Sequence, residues 1–154
     1  MLKNLNPLLT PELLYVLRAM GHGDELVLAD ANFPAYSIAA DTVYGDVIRL
    51  EGVNIVQAAE AILSVLPLDS FVDAPIQRME IIGQPTELAD VQKDLQQLVR
   101  RIDPDRDWPM GALERQAFYT RARQAYAVVL TSERLPYGDF LLTKGVIGPT
   151  GEVV

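Results

Sequence analysis

The segment Gly21-His22-Gly23-Asp24-Glu25-Leu26-Val27-Leu28-Ala29-Asp30-Ala31-Asn32-Phe33-Pro34 decides how the chain is read. It contains the only histidine of the sequence, His22, between two glycines that open turn geometries closed to other residues. Glu25 to Ala29 reads as a short strand, and its Leu-Val-Leu run predicts burial on both faces. Asp30 then stands at the carboxyl end of that strand, where open α/β sheets bind ligands. Imidazole is the side chain that changes charge near neutrality, so the stretch predicts a small polar pocket in which His22 and Asp30 share proton-transfer chemistry. The same position also suits a histidine that only satisfies a carbonyl at a helix terminus.

Working outward, Thr10-Pro11-Glu12 has the cap, the first-turn proline and the acidic residue of a helix start. Leu13, Leu14, Leu17 and Met20 follow at helical spacing, and Gly21 stops the helix. Downstream of Asp30 a loop is predicted through Pro34 and Tyr36 towards Asp41, then a strand over 46–50 and a helix capped by Asn54 and closed by Pro67. Residues 69–75 read as loop and 76–82 as a strand ended by Gly83. A helix opens at Pro85-Thr86-Glu87 and carries Arg100 and Arg101 in its last turn. Residues 102–111 read as irregular, with Trp108 in a surface loop or a subunit contact. A helix over 112–124, a buried strand over 126–131, a turn over 132–136 and a strand from Phe140 complete the chain. This alternation predicts one α/β layered domain over residues 1–147, with 148–154 as a loose tail.

Composition narrows the function. The 154 residues are 49% apolar, enough for a sizeable core, and 21 acidic against 13 basic residues give a net charge of -8. That balance argues against nucleic acid or an anionic membrane surface as the main partner, since both demand a basic face. The absence of cysteine excludes disulfides, thiolate catalysis and thiolate-bound zinc. With a single histidine, a metal site would need carboxylates at ligand spacing, and none stand so; no metal is expected, and no phosphate loop, dinucleotide fingerprint or nucleophile elbow appears. Met1 to Pro7 lacks the basic and apolar regions of a signal peptide, and a cytoplasmic protein is expected.

Two further clusters invite a sugar. Tyr137-Gly138-Asp139 offers an aromatic face, a close backbone approach and a carboxylate, although the same tripeptide suits a plain turn before a strand. Arg115 can fork onto vicinal hydroxyls or stand as a solvated helix charge.

Residues 9–25, Asp30-Ala31-Asn32-Phe33-Pro34-Ala35, Arg115-Gln116-Ala117-Phe118-Tyr119 and 137–146 together resemble the L-fucose mutarotase and D-ribose pyranase family over nearly the whole chain, with the segment around Arg115 and Tyr119 closer to the fucose branch. The resemblance implies a three-layer α/β/α fold with a mixed, largely parallel central sheet. It implies a cofactor-independent isomerase that interconverts the anomers of L-fucose or a related monosaccharide through the open-chain form. His22 takes the acid/base position. Asp30, Arg115, Tyr119, Tyr137, Gly138 and Asp139 take the sugar-holding positions, and Tyr119, Tyr137 or a water takes the second proton. The family also implies a homo-oligomer, typically a decameric ring with sites near subunit boundaries, and Phe71 and Trp108 are the aromatics expected at such contacts. Asp139 stands where the family commonly has asparagine, and Asn32 and Tyr36 where its fucose enzymes carry histidines. A ribose pyranase, and a non-catalytic sugar-binding protein linked to transport, are the alternatives.

Overall fold

Residues 2–154 are described by a computed structural model, so Met1, the first residue of the expected domain, lies outside it. Six strands form one sheet: β1 (Glu25–Ala29), β2 (Val47–Leu50), β3 (Ile76–Met79), β4 (Met110–Leu113), β5 (Ala127–Thr131) and β6 (Phe140–Thr143). Their order across the sheet is β2-β5-β1-β6-β3-β4. The pairs β1–β5, β2–β5 and β3–β4 are parallel, whereas β6 runs antiparallel to both β1 and β3. Five strands therefore share one direction and β6 alone opposes them, which is the mixed, largely parallel sheet expected.

Helices cover both faces. Side chains alternate across a strand, so Leu26 and Leu28 of β1 and Phe140 and Leu142 of β6 enter one core, whereas Val27, Ala29 and Leu141 enter the other. The first core is closed by α1 (Pro11–Ala19), α3 (Ile55–Leu63) and α4 (Asp90–Ile102). The second is closed by α2 (Ala35–Ala39) and α5 (Arg115–Ala122), through Ile38, Ala39, Phe118 and Ala122. Local signals set several boundaries. The Thr10 hydroxyl accepts the Leu13 amide at 3.2 Å, and Asn54 and Gln57 exchange hydrogen bonds in a reciprocal cap of α3.

Five expectations are corrected. The loop after Pro34 contains the short helix α2. The strand from Ile76 ends at Met79 rather than at 82, and α4 begins at Asp90, because residues 81–87 form turns in which Gln84 bonds Ile81 and Glu87 bonds Gln84. Residues 110–113, read as irregular and helical, form the edge strand β4. The tail is tied back: Ile147 bridges Val153, the Ser70 hydroxyl donates to the Val154 carbonyl, and Arg106 donates to that of Val153 at 2.7 Å. Trp108 is half-buried against the first core and donates its indole N–H to Asp103 at 3.0 Å.

The direction of the strands decides where chemistry gathers. The C-terminal ends of β1 to β5 and the N-terminal end of β6 lie along one edge of the sheet. The opposite edge carries the residues before β1 and after β6.

Candidate active site

Asp30 leaves β1 into a dense set of amides. Its Oδ1 accepts the Asn32 N–H at 2.8 Å, and its Oδ2 accepts the Gly138 N–H at 3.2 Å. Its own amide donates to Asp139 Oδ1 at 3.1 Å. The Asp139 carboxyl, 109 residues away in sequence, thus reaches the Asp30 backbone, and the Asp30 and Asp139 residues are only 3% and 5% exposed. Burial raises both from the ordinary carboxylate range; Asp139, with one amide donor and the Asp30 charge beside it, is pushed up to about 8.

Space around Gly138 is tight. A Cβ on it would lie 3.1 Å from Asp30 Cβ and 3.3 Å from both Glu133 Cγ and Ile55 Cγ1. Tyr137, just before it, adopts a left-handed backbone with φ of 64°, which turns its phenol towards the loop after β3, where it accepts the Ile82 N–H at 3.3 Å. The buried Gln92 amide of α4 clamps this turn by donating to the Tyr137 and Met79 carbonyls.

Helix α5 brings the remaining groups. Its N-terminus is capped by the Glu114 carboxylate, which accepts the Gln116 and Ala117 amides. Tyr119 packs edge-on against Phe33, ring centroids 5.7 Å apart. Burial raises its phenol above the ordinary range; the carboxyls of Asp139 and Asp30 push the same way, and the Arg115 guanidinium pulls it back. One phenol therefore feels Asp30, Asp139 and Arg115 together. Asp30, Arg115, Tyr119, Tyr137, Gly138 and Asp139 lie along a single sheet edge.

His22 is elsewhere. It precedes β1, whereas Asp30 follows it, so the two flank a strand on the order of 15 Å long at about 3.3 Å per residue. The pocket predicted from their closeness in sequence does not form within one chain, because an extended strand separates its two ends. The carboxylate that holds His22 is Asp69, whose Oδ1 lies 3.1 Å from His22 Nε2 and also accepts the Phe71 amide at 3.0 Å. Asp69 is buried, whereas the His22 side chain is 49% exposed. A carboxylate only accepts, so Nε2 carries the proton and Nδ1 presents its lone pair outward. Phe71, itself 64% exposed, stands edge-on to the imidazole at 5.4 Å.

The turn that carries His22 is tightly fixed. The Gly23 amide donates to the Lys144 carbonyl at 2.9 Å, and Lys144 Nζ donates to the Leu17 and Met20 carbonyls at the end of α1. Gly145 approaches the Asp69 segment so closely that a Cβ would lie 2.4 Å from the Leu68 carbonyl oxygen.

Sequence reasoning missed Asp69, Lys144 and Glu133. Nothing local marks Asp69, whose partner is 47 residues away. Glu133 had a signal: like Asp30 it follows the carboxyl end of a buried strand. Its buried carboxylate accepts the Arg134, Leu135 and Ile55 amides.

Residues 3–147 match the model of the RbsD / FucU transport protein family. The fucose mutarotase of Bos taurus is 43% identical over 151 residues, covering 96% of this chain and 95% of the relative. The crystal structure of protein Atu2016 superposes with a TM-score of 0.92 at 48% identity, covering 96% of this chain and 97% of that one. A fucose mutarotase from Streptococcus pneumoniae, solved in complex with L-fucose, gives a TM-score of 0.84 at 38% identity over 96% of this chain and all (100%) of the other. With a family match across almost its full length, the chain belongs to the RbsD / FucU transport protein family.

Proposed function

We propose that this protein is a cofactor-independent isomerase that interconverts the α and β anomers of L-fucose or a closely related monosaccharide. Mutarotation removes a proton from the anomeric hydroxyl and delivers one to the ring oxygen, so that the C1–O5 bond opens to an aldehyde and recloses on either face. The reaction proceeds unaided in water, so a single positioned acid/base pair suffices for useful acceleration.

The observation that carries this reading is the half-exposed His22 imidazole, oriented through Nε2 by the buried Asp69 with Nδ1 free. Nδ1 takes the anomeric proton, and the charge that develops on the ring is balanced by Asp69. At the other sheet edge Asp30, Arg115, Tyr137 and Asp139 hold the sugar hydroxyls. Tyr119, whose burial keeps its phenol protonated, supplies the second proton.

One sugar cannot reach His22 and Asp30 of the same chain across the length of β1. The complete site therefore combines the Asp30 edge of one copy with the His22 edge of a second. A ring of identical copies, each giving one edge to the next, satisfies every site at once. The exposed Phe71 next to His22 suits the dry part of such a contact.

Magnetisation-transfer NMR of L-fucose tests this reading. Exchange between anomers is expected to accelerate with the protein and to fall to the uncatalysed rate with His22→Ala. Sugar binding without any acceleration by the native protein would leave a binding protein and refute the enzyme.

A further inference from the structure

The pair Asp30–Asp139 has a consequence for how the sugar is held. Asp139 is buried, its Oδ1 accepts the Asp30 amide and the Asp30 charge acts on it, so the two carboxyls cannot both ionise cheaply, and the donors around them decide which keeps the proton. Asp30 receives the Asn32 and Gly138 amides, one on each oxygen. Asp139 receives the Asp30 amide alone, on Oδ1. The negative charge belongs on Asp30, and the proton belongs on Asp139, at Oδ2.

Asp139 Oδ2 has no hydrogen-bond partner among the described residues. It is also not sealed off: the one sealed, partnerless polar side-chain atom there is Arg78 Nη1. An O–H at that atom is therefore free to donate to a ligand from a side chain otherwise buried beside Asp30. We propose that Asp139 acts as a neutral carboxylic acid that donates the Oδ2 hydrogen bond to a sugar hydroxyl while Asp30 accepts from its neighbour, so that the bound sugar is released as Asp139 ionises. This rests on the sugar-holding part of the proposed function and adds to it the protonation state on which recognition depends.

The groups around Asp139 leave it as the one that titrates in this way. Asp30, from the end of β1, is the charge acting on it. From α5 come Tyr119, raised further from its ordinary range, and the Arg115 cation. From the end of β5, Glu133 acts on Asp30. Strand β3 donates its Met79 amide to the Asp139 carbonyl; its Arg78 lies on the other face of the sheet, in register with Phe140, and Glu80 lies beyond it. Helix α4 contributes the neutral Gln92.

Two measurements on the intact protein test this. The first is the carboxyl 13C titration of the sugar-free protein, with the Asp139 resonance identified by its loss in Asp139→Asn. A midpoint of about 8 is expected; a midpoint in the ordinary aspartate range overturns the proposal. The second is L-fucose affinity against pH, by saturation-transfer NMR. The native protein is expected to lose about tenfold per pH unit above the midpoint. Asp139→Asn, which keeps a donor at that atom at every pH, is expected to bind without that loss. Equal pH dependence in the two proteins, or loss of binding in the Asn variant at low pH, overturns the proposal. If the pH split appears without accelerated anomer exchange, the proposal stands and the enzyme reading falls.

Discussion

If the site is completed by a second copy, two inactive variants restore each other. His22→Ala removes the acid/base group, and Asp30→Asn removes the anion that holds the sugar. Each homo-oligomer is expected to be inactive, because every site lacks one of the two. The structure dictates the rest: β1, a strand of five residues, separates His22 from Asp30 by far more than hydrogen-bond reach, about 3 Å, so no site takes both from one chain. In a randomly mixed assembly a site draws His22 from an Asp30→Asn copy half the time. It draws Asp30 from a His22→Ala copy half the time, so about a quarter of the sites are native in both halves. Co-expression of the two chains with different tags and tandem purification isolates the mixed assemblies, and magnetisation transfer on L-fucose reads their exchange rate. About a quarter of the native rate per site is expected, within the spread of unequal mixing. Arg115→Ala in place of Asp30→Asn repeats the test with an exposed residue whose loss leaves the Asp30 loop intact. Mixed assemblies no more active than their parents would refute a shared site.

Three other outcomes follow from the same contacts. Gly145→Ala places a Cβ 2.4 Å from the Leu68 carbonyl oxygen and 2.9 Å from Asp69 Cα. Urea unfolding should show a loss of about 3 kcal/mol or more, and any folded fraction should exchange fucose slowly because Asp69 no longer meets His22. Arg78 is buried with Nη1 partnerless and only the Pro85 carbonyl on Nη2, and burial lowers its pKa, so Arg78→Met should stabilise the fold by roughly 1–3 kcal/mol; a lower melting temperature would contradict this. The stability contributed by Asp139 runs opposite to that of a paired aspartate. Its folded value, about 8, lies above the ordinary 3.8, so the contribution is whole below 3.8, declines from there and is lost above 8. The stability of the native protein relative to Asp139→Asn should therefore fall between about pH 5 and pH 8, by at most about 1.4 kcal/mol per pH unit. A flat difference would show that the group is not held neutral.

Much of this protein is written locally. The start of α1 at Thr10-Pro11, its end before Gly21, the strand Glu25–Ala29 and the cap of α3 at Asn54 each depend on residues within a turn of one another, and their signals survive folding. The alternation of such elements, and the apolar strands among them, sufficed for the α/β class. Motif resemblance placed His22, Asp30, Arg115, Tyr119, Tyr137, Gly138 and Asp139 in one set; His22 stands at the opposite edge of the sheet from the other six.

Tertiary structure decided the rest. Met110 to Leu113 has no periodicity of its own and becomes a strand because β3 offers an open edge. Pro85-Thr86-Glu87 looks like a helix start, yet Arg78 takes the Pro85 carbonyl and the chain turns until Asp90. His22 and Asp30 are eight residues apart (22 to 30) and face opposite edges, since a strand carries its ends apart. Asp69 reaches His22 across 47 residues, and Asp139 reaches Asp30 across 109. Residue type and spacing report what a few neighbours prefer. Which carboxylate braces the histidine, and which one keeps a proton, depends on burial and on partners that only the closed sheet brings together.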